Sequence, residues 1–556
     1  MPESTKLIRG YLENTRFQIG LLLLLVGLTF FVNLQYGNPT LMEARNFITA
    51  REMIENGNWL VPSMNGHLRL AKPPLPTWLT AMAGLGAGNI EDLVALRLPA
   101  AAVAALLVFF LYFLARLLTP DRLIPFLAAA ILATSFSFIN IGRQGTWDIY
   151  CHSFMLGAIW LLAKGCRKEI TNYSLFTSCG IMLGLSFLSK GPVSFYALLL
   201  PFVIAYGYGF GFIAFTAKWR GIVWAVVLCT LISISWPLYV YLIEPESLAH
   251  NVSAESTAWV SRHVEPIWFY VSFPVHTGIW LFFAVAVLIV PYARPRIQVY
   301  GNYRFLAAWF MVCILLLSLI PEKKERYLLP AFIPLALLMA HYVRYLFDSF
   351  TRPKMPRWDY WLTVASAGLV VLIAFAIPII MYLFVYKTGL GSGLKLLLAT
   401  ILFIGLGIAL LYFIQKKQFA SLFLAMLFLH VSGLLVGIPL YQHLLRPNAS
   451  YQSLKNSRQI KEIKPYRLYA LDGMSPQNVW EVGRPVDTLH FVNQRLKLPG
   501  KLPAAVFSHT PLTQGNLPSS QYHLKEISMY HYHQRNPEKI YYLYLLTGNP
   551  VPAKEN

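Results

Sequence analysis

The chain has 556 residues, of which 56% are hydrophobic and only 13% are charged. This balance excludes a soluble globular protein, because too few polar residues remain to cover its surface. The formal net charge of +21 does not by itself indicate nucleic-acid binding, since cytoplasmic loops of membrane proteins are rich in Lys and Arg.

Apolar runs of about 18 to 25 residues recur along most of the chain, which is typical of membrane-spanning helices. The first run has no small-residue cleavage site after it, so it indicates a retained helix rather than a signal peptide. About thirteen spanning helices are predicted. They cover residues 17–34, 94–118, 123–141, 151–165, 174–189, 193–213, 221–243, 274–292, 304–320, 327–347, 360–386, 393–413 and 419–441.

The composition changes after residue 441, where the chain becomes polar and is interrupted by prolines. Short β-like runs follow, such as "YRLYALDG" and "KIYYLYLLTG",. The predicted fold is therefore an all-α polytopic membrane domain over residues 1–441, followed by a small soluble α/β domain over residues 442–556.

The placement of Lys and Arg predicts the orientation of these helices. With the N-terminus in the cytoplasm, alternate loops carry the basic clusters, as the positive-inside rule requires. An odd number of helices then places the C-terminal domain outside the membrane. In a bacterial inner membrane that side is the periplasm.

A smaller set of cations lies on the outer side, near predicted helix ends. Charges close to membrane depth are costly and usually face a cavity or a partner. Their convergence favours an anionic ligand such as a lipid phosphate, although each cation could instead snorkel or pair with a local acid. The set comprises Arg45, Arg69, Lys72, Arg97, Arg143, Lys190, Arg262, Lys323, Lys324 and Arg326.

The first outer loop contains Glu43 directly after the first membrane helix. Thr40-x-x-Glu43 fits a capping box, which satisfies backbone N–H groups at a helix start; alternatively, Glu43 is a catalytic carboxylate at the membrane surface.

Apolar residues among the charges of 41–56 predict an amphipathic helix in the interface. "WLVPSMNGHLRL" predicts a hairpin with Asn65-Gly66 at its turn,.

Two further outer loops carry candidate site residues. Asp148 lies at the start of a membrane helix, where the helix dipole would stabilise any carboxylate, so a structural and a catalytic role both remain open. The loop "EPESLAHNVSAESTAWVSRHVEPIWFY" has the character of a mobile lid,. His263 within it could be a metal ligand or a base, although a lone His is more often neither.

Four stretches, taken together, resemble the ArnT-like (GT83) family of lipid-dependent glycosyltransferases in the membrane GT-C class. They occur in the family's order between about residues 39 and 342. They are "MEARNFITAREMIENGNWLVP", "LAKPPLPTW", "FLSKGPVSFYALLLP" and "KKERYLLPAFIPLALLMAHY".

The resemblance implies a glycosyltransferase that takes a sugar from undecaprenyl phosphate and transfers it to an envelope acceptor at the periplasmic face, with lipid A as the leading acceptor. Glu43 and Asp148 are the expected catalytic carboxylates, with Asp148 slightly ahead. Cations would stabilise the departing phosphate as its charge develops. The predicted phosphate-binding residues are Arg45, Lys72, Lys190, Arg262, Lys323, Arg326 and Tyr327, the last as a hydrogen-bond donor.

The chain departs from the family pattern at three positions. Met42 replaces the first acid of the family's acidic pair, Ala71 stands where members often have Glu, and Ser256 replaces the His of a Glu-His pair. A metal seat built from those side chains is therefore not expected, and a metal requirement stays open. The lost acid also leaves the sugar and acceptor open, including a protein hydroxyl or another glycan.

Two other classes of function compete with a transferase. A flippase for lipid-linked sugar would need broken or polar helices at mid-membrane and often an internal repeat, and neither is evident in the sequence. A non-enzymatic membrane anchor would explain the helices but not the ordered motifs.

Overall fold

The computed structural model describes Ile8 and residues 10–350, 352, 355–389, 392–444, 449–492, 495–497, 502–518 and 522–548. The chain forms two compact units. The helical unit contains Met1–Tyr36 and Leu70–Leu440, and the sheet unit contains Gly37–Arg69 and Tyr441–Asn556.

Among the described residues, the helical unit has seven helices long and apolar enough to cross a membrane, or up to nine if each of two bent helix pairs is one span. The seven are Leu93–Leu118, Trp147–Cys166, Trp219–Ile243, Glu325–Ser349, Arg357–Tyr386, Gly393–Gln415 and Phe419–Leu440. The bent pairs are Ile124–Ala133 with Phe136–Gly142, and Phe269–His276 with Gly278–Ala286. The protein is thus a mostly helical, multi-pass membrane protein.

Other helices complete this unit. The apolar helices Thr15–Phe31, Phe195–Phe210 and Tyr303–Leu319 have 10 to 17 residues each, and Tyr173–Lys190 has 18 residues. Further helices in the part of this unit that the structure describes are Leu75–Gly86, Ile213–Thr216, Pro245–Ser261 and Val290–Ile297.

Each predicted span has a helix or a bent pair as its counterpart, but hydropathy does not reveal bends. The pair Ile124–Ala133 and Phe136–Gly142 meets at 68°, and the pair Phe269–His276 and Gly278–Ala286 meets at 101°. Polar side chains cap several helix starts: Asp92 accepts a hydrogen bond from the backbone N–H of Val94, which satisfies a donor that the helix leaves free.

Among its described residues, the sheet unit has the strands β1 Ser63–Met64, β2 His67–Leu68, β3 Arg467–Leu471, β4 Val486–Leu489, β5 Phe491–Val492, β6 Arg495–Leu496, β7 Ala504–Ser508, β8 Tyr522–His531 and β9 Ile540–Gly548. Five of them form a sheet in the order β4-β3-β7-β9-β8. The strand β3 is parallel to β4 and β7, whereas β9 is antiparallel to β7 and β8.

Residues of the first outer loop are part of this sheet unit. The helix Leu41–Asn56 packs on the helix Pro476–Val482. The ring centroids of Phe47 and Trp480 lie 5.6 Å apart, and the Arg51 guanidinium lies 5.5 Å from the Trp480 ring centroid. Phe47 is fully buried, so its apolar side chain serves this packing, whereas the sequence predicted a helix lying in the membrane interface.

The predicted hairpin is confirmed, since β1 and β2 pair antiparallel across Asn65 and Gly66. Both turn residues have positive φ, 58° and 76°, which Asn and Gly tolerate better than other residues. The Asn65 side chain also accepts a hydrogen bond from the Val486 N–H and donates one to its carbonyl, both at 2.7 Å. The hairpin is thereby bonded to the first residue of β4.

Candidate active site

Asp148 is in the first turn of the helix Trp147–Cys166, and its side chain is only 2% exposed. The Lys190 ammonium donates a hydrogen bond to its Oδ1. The Arg326 Nε lies 3.7 Å from its Oδ2. A buried carboxylate needs such partners, because an unpaired charge away from water is very costly.

Lys190 is the last residue of the helix Tyr173–Lys190, where a cation is favoured by the helix dipole. The next residue, Gly191, has φ +70° and ψ −149°. An L side chain rarely adopts this conformation, so glycine is required for the chain to turn away here. The sequence "SKG" therefore ends the helix and leaves the Lys190 side chain facing Asp148.

The segment Glu325–Leu328 forms a short 3₁₀ turn, which supplies Arg326 and Tyr327. The Lys190 ammonium lies 4.6 Å from the Tyr327 ring centroid, and the Arg326 guanidinium lies 5.6 Å from the same centroid. Both distances fit cation–π contacts. The Tyr327 ring therefore contacts the same two cations that bind Asp148.

Lys72 joins this group from the coil before Pro73. Its Nζ lies 3.0 Å from Glu255 Oε2, and the two side chains are 24% and 27% exposed. Burial lowers the pKa of Lys72 below its ordinary value; the Glu255 carboxylate opposes this shift and the positive charge of Lys190 adds to it. Lys72 is thus within electrostatic reach of Lys190.

We call Lys72, Asp148, Lys190, Arg326 and Tyr327 the Asp148 cluster. Lys190 and Arg326 contact the Asp148 carboxylate, and Lys72 pairs with Glu255, a second acid at the edge of the cluster. Charges act more strongly on each other where water is partly excluded. Chemically, the arrangement suits an anion with several oxygen atoms, such as a phosphate.

Other predicted phosphate-binding residues have local partners. Arg262 Nε lies 3.2 Å from Glu322 Oε1, and Lys324 Nζ lies 2.5 Å from the same oxygen. Burial acts to raise the pKa of Glu322, but Lys324 and Arg262 outweigh it, so this pKa lies below its ordinary value. Lys323 Nζ donates to the main-chain carbonyl of Glu265 at 2.8 Å.

Glu43 and Arg45 belong to the sheet unit. The capping box is present: the Thr40 N–H donates to Glu43 Oε2 at 2.9 Å, and the Glu43 N–H donates to Thr40 Oγ1 at 3.3 Å. This bonding explains why an acid stands at position 43. A catalytic role for Glu43 and a phosphate-binding role for Arg45 stay predictions.

Two residues near the cluster were not predicted as site residues. Glu255 lies in the loop that was predicted to be a mobile lid, and it is the partner of Lys72. His152 is buried and follows Asp148 by four residues, a spacing that places both on one helix face. That spacing was available in the sequence, whereas the Glu255 contact spans 183 positions.

A cavity of about 280 Å³ lies beside the Lys72–Glu255 pair. It is lined by Leu70, Ala71, Asn251, Val252, Glu255, Ser256 and Trp259. Its wall is thus formed by the residues before Lys72 and by one face of the helix Pro245–Ser261. Within the described part of the chain, no three His, Cys, Asp or Glu side chains come together as a metal site would need.

Solved structures share the fold of this chain. The chain aligns over 95% of its length with ArnT from Cupriavidus metallidurans in the apo state, with a TM-score of 0.66, 14% identity and 97% of that chain covered. The undecaprenyl phosphate-bound structure of the same protein aligns with a TM-score of 0.64 and 13% identity, covering 96% of this chain and 98% of that one. The fold is therefore that of the GT-C membrane glycosyltransferases.

Sequence comparison agrees with this fold assignment. Residues 71–236 match a family model described as dolichyl-phosphate-mannose-protein mannosyltransferase. An undecaprenyl phosphate-alpha-4-amino-4-deoxy-L-arabinose arabinosyl transferase of Proteus mirabilis is 28% identical over 54% of each chain, and one of Pectobacterium atrosepticum is 28% identical over 65% of each. These matches confirm the resemblance indicated by the motifs: the chain is similar to the ArnT-like, lipid-dependent GT-C glycosyltransferases. It spans about half to two thirds of the length of these relatives.

Proposed function

We propose that the protein is an inner-membrane glycosyltransferase that moves a sugar from a polyprenyl phosphate, such as undecaprenyl phosphate, to an envelope acceptor at the periplasmic face, with lipid A as the leading acceptor. The observation that carries the proposal is the Asp148 cluster, in which Lys190 and Arg326 bind one buried carboxylate and Lys72 lies within electrostatic reach of Lys190. A lipid phosphate is the anion that a multi-pass membrane protein would meet at a helix end.

In the proposed reaction, an acceptor oxygen attacks the anomeric carbon and the bond from that carbon to the phosphate oxygen breaks. The lipid phosphate leaves with the bonding electrons. Lys72, Lys190 and Arg326 would stabilise its growing negative charge, and Tyr327 would donate a hydrogen bond to it. The names of the aligned relatives, which are undecaprenyl phosphate-dependent transferases, support this donor class.

Asp148 would take the proton that an acceptor hydroxyl loses. Its carboxylate is bound to Lys190 and Arg326. A phosphate that drew these cations toward itself would free the Asp148 oxygens to accept that proton. Glu43 remains the second candidate for this role.

The basic clusters of alternate loops support a periplasmic location for the chemistry and for the sheet unit. Mass spectrometry of lipid A from cells with and without the gene would test the acceptor. We expect a sugar-sized mass to be lost without the gene and restored by the wild type but not by Asp148→Asn.

Unchanged lipid A, with the protein present, would contradict lipid A as the acceptor. Glycoproteins and other envelope glycans would then be measured in the same cells. Movement of the lipid-linked sugar across vesicles without its consumption would contradict transfer itself and favour a flippase.

A further inference from the structure

The ion pairs around the outer cations differ in how firmly each acid is held. Asp148 is 2% exposed and bound by Lys190 and Arg326, and Glu322 is 4% exposed and bound by Arg262 and Lys324. Glu255 is 27% exposed, and its ion pair is with Lys72. Water screens an ion pair more strongly the more exposed it is, so Glu255 is the most readily displaced of these three acids.

The helix that carries Glu255 is also weakly anchored. Pro245–Ser261 has no buried residue along its length. Its C-terminal end is held by the main chain, since the Glu322 N–H donates to the Trp259 carbonyl at 3.1 Å. Its N-terminal end follows directly from the helix Trp219–Ile243. Between these ends, Glu255 ties the helix to Lys72 and closes one side of the cavity.

We propose that Glu255 is an internal anion that occupies the phosphate site at Lys72 and latches the helix Pro245–Ser261 over the cavity until a lipid phosphate displaces it. The carboxylate and a phosphate compete for the same ammonium, and both cannot lie beside it without repulsion. Binding of the donor would therefore release the helix and open the cavity. The ligand assignment rests on the proposed function, whereas the latch does not.

The first test measures the latch without any ligand. Hydrogen exchange of backbone amides in residues 245–261 would be followed in the purified full chain, for the wild type, Glu255→Gln, Lys72→Met and Glu246→Gln. Glu246 is an exposed acid on the same helix, so its variant is a matched control. We expect faster exchange than in the wild type for Glu255→Gln and Lys72→Met, and wild-type exchange for Glu246→Gln. Wild-type exchange rates in both Glu255→Gln and Lys72→Met would overturn the latch.

The second test measures binding of undecaprenyl phosphate, with inorganic phosphate as a parallel probe. The Glu255→Gln variant lacks the competing carboxylate of this partly exposed pair, so it should bind undecaprenyl phosphate about two- to fivefold more tightly than the wild type. The Lys72→Met variant should bind it about tenfold or more weakly. Glu255→Gln should have no effect when combined with Lys72→Met. Tightening that persists in this double variant would overturn competition for Lys72.

The two tests separate failure of the latch from failure of the proposed function. Faster exchange in Glu255→Gln without any binding of undecaprenyl phosphate by the wild type would keep the latch and reject the donor class. Equal tightening for inorganic phosphate would show that the site recognises the phosphate group alone. Tightening confined to undecaprenyl phosphate would show that the lipid is recognised as well.

Discussion

The Lys190 ammonium donates a hydrogen bond to the Asp148 carboxylate, and the two side chains are 7% and 2% exposed. They come from different helices and are 42 positions apart in the chain. Their contact brings the end of one helix to the start of another. Because both charges are shielded, each depends on the other for its stability as well as for any chemistry.

Asp148→Asn should therefore impair both folding and transfer. Removing one partner of a buried ion pair leaves an uncompensated charge, which costs about 3 to 5 kcal/mol. Thermal unfolding of the purified protein would show a lower midpoint. Adding Lys190→Met should recover part of that loss, because the buried Lys190 charge is then removed together with its partner, while sugar transfer stays about 100-fold or more below wild type. Full activity in the double variant would contradict a role for this pair in the chemistry.

Gly191→Ala should disturb the site through the backbone alone. A Cβ at this position would meet no atom within 4 Å, so the cost comes from φ +70° and is about 1 to 3 kcal/mol. Transfer should fall because Lys190 adjoins the strained residue. Gly368→Ala is the control, since its Cβ also has open space but lies in the helix Arg357–Met381. Comparable losses in both variants, measured by thermal unfolding and transfer, would argue against this reading.

Glu322 should make stability depend on pH in the acid range. Its folded-state pKa lies below the ordinary value of 4.5, so the unfolded chain takes up a proton first as the pH falls. The stabilisation is thus fully present above about pH 4.5 and is lost as the pH falls through the lowered pKa. The difference in unfolding midpoint between wild type and Glu322→Gln should shrink over that range. A constant difference would show that the carboxylate charge is not responsible.

Trp480→Ala should loosen the sheet unit. Trp480 is 2% exposed and contacts Phe47 and Arg51, so removing its ring should cost about 3 to 5 kcal/mol. Limited proteolysis should then cleave within Gly37–Arg69 or after Tyr441 at lower protease concentration. Trp358→Ala, at a position 77% exposed, is the matched control. Unchanged cleavage in Trp480→Ala would contradict the packing of Leu41–Asn56 on Pro476–Val482.

Much of the fold is local in origin and was therefore predictable. Membrane helices follow from apolar runs, the capping box at Thr40 from residues three positions apart, and the hairpin at Asn65-Gly66 from its turn residues. The same local reading could not show the 68° and 101° bends within two predicted spans. It also placed the helix Leu41–Asn56 in the interface, although Phe47 packs against Trp480.

For the site, the sequence alone predicted Lys72, Asp148, Lys190, Arg326 and Tyr327. Short motifs and the alternation of basic loops are both visible in the sequence, so the order of the motifs and the predicted side of the membrane were enough to select these residues. Which acid holds which cation was decided only by the fold. The Lys72–Glu255 contact joins residues 183 positions apart, and nothing local to either one specifies the other. Charge pairing acts through space over a few ångströms, so tertiary structure alone determines that Asp148 holds Lys190 and Arg326 while Glu255 holds Lys72.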